Sequence, residues 1–295
     1  MSGVPPGLAA QGALGPDWQG WLDRLPRLRD DLLAEWSLRV DGSAMHGWCS
    51  LVVPVLTEAG ERTVLKLTFD GDDESEHEAL ALRHWDGRGA VRMLRADPAR
   101  RALLLERLHT TDLGDTSDIE ACEVVAGLWS SLHLPSLPQL RTVTSYVERW
   151  VAALGRLPVN GPVPRRMVEQ ATSLSRDLVA DPASSARVIH GDLHYANVLA
   201  SDRSAWLAID PKPMNGDPHY EVAPMLWNRT EELAGDLRGG LRRRFHALVD
   251  VGGLDEDRAR DWVVVREVLN AHRAADGGDT DAVTLALTIA KAVQD

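Results

Sequence analysis

Three oxygen-bearing side chains stand out by type and spacing: Asp192, Asn197 and Asp210, separated by 5 and 13 residues. They lie in Val188-Ile-His-Gly-Asp-Leu-His-Tyr-Ala-Asn-Val-Leu-Ala200 and, after Ser201-Asp-Arg-Ser204, in Ala205-Trp-Leu-Ala-Ile-Asp210. Asn197 to Ala200 and Ala205 to Asp210 read as two short strands about a four-residue polar turn, which predicts an antiparallel hairpin. Pairing Ala200 with Ala205 sets Tyr195 opposite Asp210, so the open end of the hairpin brings Asp210 close to Asn197 and to the loop of Asp192. An amide and carboxylates converging in this way suit a hard cation such as Mg²⁺, which takes few protein oxygens and leaves room for phosphates. One carboxylate then remains to contact a nucleophilic hydroxyl. Each residue alone has an ordinary use, as a solvated turn or a packing histidine; the whole constellation is what points to chemistry.

The elements around this segment divide the chain. Asp17 to Trp36 has a helical spacing of apolar residues interrupted by Pro26. Ser50 to Leu56 and Thr63 to Thr68 are β-rich runs joined by Glu58-Ala-Gly-Glu61, which predicts a second hairpin, with a further strand at Leu38 to Val40. A helix over Glu74 to Trp85, a strand at Val91 to Leu94 and the run Ala102-Leu-Leu-Leu-Glu106 complete a small β-rich region. Beyond residue 110 helical periodicity dominates: Ser117-Asp-Ile-Glu120 has the form of a capping box, and helices are predicted about 119–132, 147–154, 167–178, 220–233, 241–251, 257–274 and 280–293. The expected organisation is an N-terminal helical extension (1–36), a β-rich lobe (37–108) and a helical lobe (109–295).

Composition excludes several classes. The chain of 295 residues carries 32 basic and 44 acidic residues, a net charge of −12, which argues against a nucleic-acid partner. No apolar run approaches the length of a membrane span, and the Gly-, Ala- and Pro-rich N-terminus does not read as a signal peptide, so a soluble cytoplasmic protein is expected. Cys49 and Cys122 suggest neither a disulfide framework nor a metal knuckle. Lys occurs only at 66, 212 and 291, which makes each one conspicuous.

The string His190-Gly-Asp-Leu-His-Tyr-Ala-Asn197 followed by Ile209-Asp210 resembles the catalytic and metal-binding loops of the aminoglycoside phosphotransferase family, relatives of the eukaryotic protein kinases. Trp206-Leu-Ala-Ile-Asp-Pro-Lys-Pro213, Gly216-Asp-Pro218, Leu226-Trp-Asn-Arg229, His77-Glu-Ala-Leu-Ala-Leu82, Trp85-Asp-Gly-Arg-Gly-Ala90 and Leu103-Leu-Leu-Glu-Arg-Leu108 are similar to a narrower branch, the streptomycin 6-phosphotransferases and hydroxyurea phosphotransferases. The likeness spans residues 40 to 275. It implies an α+β, bilobal, protein-kinase-like fold and transfer of the γ-phosphate of ATP or GTP to a hydroxyl of a cationic small molecule, with streptomycin first, or hydroxyurea or another metabolite. A catalytically silent kinase fold is disfavoured by the presence of Lys66, Asp192, Asn197 and Asp210.

By the same resemblance Asp192 orients the acceptor hydroxyl and takes its proton, and Asn197 and Asp210 hold Mg²⁺. Lys66, braced by Glu78 as the best match and by Glu74 or Glu76 as alternatives, fixes the α- and β-phosphates. Main-chain groups of Glu106 and Leu108 meet the adenine edge, and Ser43 and Gly47 lie in the phosphate-covering loop. His190 supports the catalytic loop, while Lys212 either neutralises phosphate charge or pairs with an acid such as Asp217. Glu231, Glu267 and Asn270 are candidate contacts to a cationic acceptor. The chain departs from the protein-kinase pattern in lacking Gly-x-Gly-x-x-Gly and in carrying Pro211-Lys212 after the metal-site Asp, which favours a small-molecule acceptor. Tyr195-Ala196 stands where Pro-Gly is frequent in the family, predicting a local backbone change that keeps Asn197 in place. These motifs leave oligomeric state and the hydroxyl phosphorylated open.

Overall fold

Alternation of β-branched and leucine residues drives the first sheet. In the computed structural model, which describes residues 4–154 and 161–294, β3 (Ser50–Leu56) and β4 (Arg62–Thr68) form the expected hairpin, with Lys66 opposite Val52. β6 (Ala102–Glu106) pairs with the other edge of β4 and places Leu103 beside Lys66. β5 (Met93–Asp97) flanks β6, while β1 (Arg39–Val40) and β2 (Met45–His46) both pair with β3. Successive strand residues face opposite sides of a sheet, so the two sides acquire different uses. Leu51, Val53, Val55, Leu65, Leu67 and Leu104 pack in one core with Leu8, Trp21, Leu22, Leu25, Leu32 and Trp36. Those partners come from α1 (Pro6–Ala9), α2 (Pro16–Glu35) and the residue that caps α2. Lys66 lies between Leu65 and Leu67 in β4, and its side chain meets Glu78 at the start of α3 (Glu78–Trp85). The helix expected from Glu74 begins as a 3₁₀ turn at Asp73–Ser75, because Asp72 accepts the Glu74 N–H and caps the short turn.

The chain forms two compact units, one of residues up to His109 with Ser201–Arg203, the other of Thr110–Ala200 with Ser204–Asp295. Among the described residues, the segment 4–36, expected as part of an extension, contributes Leu8, Trp21, Leu22, Leu25, Leu32 and Trp36 to the first unit's core.

The second unit is helical, built around α9 (Glu256–Asp276), the longest helix, which packs against α5 (Val143–Leu154), α6 (Arg165–Ala180) and α10 (Thr280–Ala292). Val147, Met167, Ala171, Trp262, Val265 and Leu269 are among the residues of that core. α4 (Asp118–Leu132) packs on α8 (Leu237–Gly252). The helix expected over 220–233 is instead a 3₁₀ turn (Pro218–Val222), a single α turn α7 (Pro224–Trp227) and another 3₁₀ turn (Thr230–Leu233). Pro218 and Pro224 cannot donate a helical hydrogen bond, and Arg229 takes a left-handed φ of 53°.

Two small sheets carry the loops of interest. β7 (Arg187–Ile189) pairs with β10 (Met214–Gly216), and β8 (Val198–Ala200) pairs with β9 (Trp206–Ala208). The β8–β9 hairpin forms, but its register differs by one residue from the expected one: Ala200 faces Trp206 and Val198 faces Ala208. The turn therefore has an additional residue, and Ile209 N–H donates to the Asn197 carbonyl at 2.9 Å, so Tyr195 is not the residue opposite Asp210.

Candidate active site

In the first unit Lys66 and Glu78 form a buried bidentate pair. Lys66 Nζ donates to both carboxylate oxygens at 2.7 and 2.8 Å, and the side chains are only 6% and 4% exposed. Desolvating two charges is costly, so such a pair is weak evidence for stability and better evidence that an ammonium must be held at one place. Ser43 is exposed before β2, and Gly47 closes a tight turn by donating its N–H to the Ser50 carbonyl. The Glu106 carboxylate is occupied: Arg203 Nε donates to it at 2.9 Å, and the Arg92 N–H donates at 2.6 Å. The Glu106 N–H in turn donates to the Arg92 carbonyl, and Leu108, two residues on, is half-buried.

In the second unit the loop after β7 is held from several directions. His190 is fully buried, and burial pulls its pKa below the usual imidazole value. The neutral ring fits both of its contacts: Nε2 donates to the Ile209 carbonyl at 2.9 Å, and Nδ1 accepts the Asp192 N–H at 3.3 Å. His190 thereby ties the Asp192 loop to the residue preceding Asp210. Gly191 has φ +83°, and a Cβ there would stand 2.3 Å from the Lys212 carbonyl oxygen. The Lys212 N–H donates to the His190 carbonyl at 2.8 Å, so the loops of Asp192 and Asp210 share a backbone bond.

Asn197 ends a 3₁₀ turn (Tyr195–Asn197) and is mostly buried. Its Nδ2 donates to the Asp192 carbonyl at 2.9 Å, which assigns that side of the amide to the protein and leaves Oδ1 as the candidate metal donor. Asp210 takes a left-handed φ of 54°, an uncommon conformation for a residue other than glycine and one that recurs at functional sites. An amide oxygen and one carboxylate are hard donors, too few for a closed cage and suited to Mg²⁺ bound with phosphates and water. Among the described residues no group of three or more His, Cys, Asp or Glu is arranged to hold a metal. Asp192 is partly exposed, with its side chain at 32%. His194 Nε2 lies 3.9 Å from its Oδ2, and burial lowers the His194 pKa to about 4.

The family model for aminoglycoside/hydroxyurea antibiotic resistance kinases matches residues 35–278. The chain belongs to this family. It is 38% identical to a streptomycin 6-kinase of Streptomyces glaucescens, over 99% of this chain and 97% of the relative. It is 39% identical to a hydroxyurea phosphotransferase of Kitasatospora aureofaciens, over 91% of this chain and 77% of the relative. Among solved structures, a choline kinase from Streptococcus pneumoniae matches with TM-score 0.64 at 11% identity, over 92% of this chain and 99% of that one. An aminoglycoside phosphotransferase in complex with ADP and hygromycin B matches with TM-score 0.58 at 17% identity, over 90% of this chain and 97% of that one. At these identities the structural likeness is one of fold, the α+β kinase fold expected from the motifs.

Two residues of this antibiotic resistance kinase family member escaped the sequence reading. Glu221 is fully buried, and its carboxylate accepts the backbone N–H groups of Gly191 at 2.6 Å and His190 at 3.1 Å. Burial alone would raise its pKa, but hydrogen bonding to His133 and that residue's charge outweigh it, so Glu221 is held below the usual carboxylate range. Arg266 of α9 donates to the Gly191 carbonyl at 2.7 Å and the Tyr220 carbonyl at 2.9 Å, with Tyr220 and Trp227 stacked about its guanidinium. The available signal for Glu221 was its place between the strings Gly216-Asp-Pro218 and Leu226-Trp-Asn-Arg229, although neither string includes it.

The remaining candidates separate. Asp217 is a buried anchor that accepts from Trp262 Nε1 at 2.7 Å, Arg258 at 2.6 Å and the His219 N–H at 3.1 Å. Glu231 is exposed in its 3₁₀ turn. Glu267 and Asn270 are neighbours on α9, with Asn270 Nδ2 3.4 Å from Glu267 Oε1. Glu267 is 1% exposed, and burial pushes its pKa up to about 8. Among the described residues no helix is long and apolar enough to cross a membrane.

Proposed function

We propose that this chain transfers the γ-phosphate of ATP to a hydroxyl of an aminoglycoside, with the 6-hydroxyl of streptomycin as first candidate, and that it does so in the cytoplasm. The observation that carries the kinase reading is the buried Lys66–Glu78 pair, present in the same chain as Asp192, Asn197 and Asp210. A silent binding protein has no use for an ammonium fixed at that cost. The acceptor is suggested by full-length likeness to streptomycin 6-kinases, at 38% identity in one Streptomyces species and 37% in another.

In this reading Lys66 binds the α- and β-phosphates, and Glu78 holds the ammonium in one rotamer. The main chain of Glu106 and Leu108 borders the adenine, and Ser43 and Gly47 border the phosphates. Asp192 orients the acceptor hydroxyl and takes its proton late, because the transition state of phosphoryl transfer is loose. His190, Glu221 and Arg266 keep the Asp192 backbone fixed while this happens. Asn197 and Asp210 would hold Mg²⁺, which when bound neutralises phosphate charge. Lys212 adds positive charge beside the metal-site loop. Glu231, Glu267 and Asn270 are proposed acceptor contacts, Glu267 and Asn270 acting as a pair.

Hydroxyurea is the second reading, favoured by the 39% identity to a hydroxyurea phosphotransferase. A coupled assay of ADP release with Mg²⁺, run over streptomycin, other aminoglycosides, hydroxyurea and amino alcohols, separates the readings. Streptomycin should give the highest kcat/KM, and a phosphate at its 6-position should appear by NMR. Asp192→Asn should lower kcat by a factor on the order of 10³ with nucleotide affinity nearly unchanged. Unaltered turnover in that variant would remove Asp192 from its role, and turnover of hydroxyurea alone would reassign the acceptor.

A further inference from the structure

By the family resemblance, Tyr195 stands where proline, which constrains the backbone by itself, is frequent. Proline fixes its own φ through the ring, whereas tyrosine leaves φ to be set by surrounding contacts. Here the side chain makes those contacts. Tyr195 is 3% exposed, and its hydroxyl donates to Asp118 Oδ1, at the start of α4, at 2.8 Å. Arg244 Nε of α8 donates to the same oxygen at 2.7 Å. Arg244 is itself fully buried, and its other nitrogens donate to the carbonyls of Met225, Asn228 and Arg229. The Arg229 guanidinium lies over the Tyr195 ring at 4.5 Å and donates to the carbonyls of Leu113 and Thr116. The phenol is thus gripped at its oxygen by an ion pair and on its ring by a cation. The Leu226-Trp-Asn-Arg229 string, which the catalytic assignments above do not use, supplies Arg229 and two of the carbonyls that lock Arg244.

We propose that Tyr195, clamped by Asp118, Arg244 and Arg229, is a positioning residue that sets the Asn197 amide for its metal. Both residues belong to the same three-residue turn, Tyr195–Asn197. The far side of Asn197 is tied by the Ile209 N–H to its carbonyl and by its own Nδ2 to the Asp192 carbonyl. Freeing Tyr195 would let the turn rotate about that tie and would displace Oδ1 from the place where Asn197 would hold a metal ion.

This inference rests on the kinase reading, and the test keeps the two apart. Tyr195→Phe keeps the ring and its cationic neighbours and removes the hydroxyl. Mn²⁺ affinity of the complex with a non-hydrolysable ATP analogue, read by EPR of free Mn²⁺, should weaken about tenfold. The Mg²⁺ concentration for half-maximal turnover should rise by the same factor, and excess Mg²⁺ should restore most of kcat. Melting should stay sharp and nucleotide affinity without metal should be unchanged. Asp118→Asn retains an acceptor oxygen for the hydroxyl and should weaken Mn²⁺ less than Tyr195→Phe; it also serves if the phenylalanine variant fails to fold. Wild-type Mn²⁺ affinity in Tyr195→Phe, or a loss that only tracks the unfolded fraction, overturns the inference. No nucleotide-dependent Mn²⁺ site in the wild-type chain overturns the kinase reading itself.

Discussion

Glu267 of α9 is buried, and Asn270 Nδ2 lies 3.4 Å from its Oε1. Burial raises its pKa from 4.5 to about 8, so the folded chain binds a proton that the unfolded chain has released. The sign follows from linkage: between the two pKa values the native state holds more protons, so stability falls as pH rises from about 4.5 to about 8 and is flat above. Glu267→Gln removes that slope. Its melting temperature should match the wild type near pH 5 and exceed it at pH 8, by an amount equivalent to a few kcal/mol. Parallel melting curves of the two chains against pH would assign the charge another partner. Asp192, Asn197, Asp210 and Lys66 could be proposed from the sequence because phosphoryl transfer admits few side chains, and Lys66 is one of three lysines. Glu221 and Arg266 could not, since a single acid or base in a helical stretch has no type signature until the backbone groups that it binds are located.

Among the elements, the loop after β7 depends on its glycine. A side chain at Gly191 would require φ +83° and would place a Cβ 2.3 Å from the Lys212 carbonyl oxygen, a backbone atom that cannot swing aside. The same carbonyl belongs to the segment whose N–H bonds His190, so relief of the clash must separate the Asp192 and Asp210 loops. Gly191→Ala should lower the melting temperature by about 5 °C and kcat by at least about a hundredfold, while the nucleotide binding proposed for Lys66 should change little. Differential scanning fluorimetry and nucleotide titration check the two parts. Hairpin β8–β9 shows why such loops were only partly readable. Alternation located both strands, but Ala200 and Ala205 gave no reason to prefer a four-residue turn over the observed one, and the register shifted by one residue. The broken segment from Pro218 to Leu233 was misread for a related reason: its apolar spacing is helical, and its prolines and the left-handed Arg229 override that spacing.

For the molecule as a whole, composition and periodicity gave the division into a β-rich and a helical part but misplaced the role of the N-terminus. The spacing of Trp21, Leu22, Leu25 and Leu32 predicted a helix; what covers it could not be read, because an amphipathic stripe does not name its partner. The structure lays that stripe on the sheet side formed by Leu51, Val53, Val55, Leu65 and Leu67. The opposite pleat of β4 carries Lys66, so the N-terminal helix supports the strand that positions the ammonium. Full burial of each large apolar side chain contributes about 1.5–3 kcal/mol, and losing Leu8, Trp21, Leu22, Leu25, Leu32 and Trp36 together removes an amount comparable to the roughly 5–15 kcal/mol stability of a whole domain. A chain beginning at residue 37 should therefore be recovered mainly as aggregate. The milder Leu25→Ala should melt several degrees lower and bind nucleotide with wild-type affinity below its transition. A soluble, cooperatively melting chain without residues 1–36 would show that the sheet needs no cover on that side and would restore the extension as a separate element.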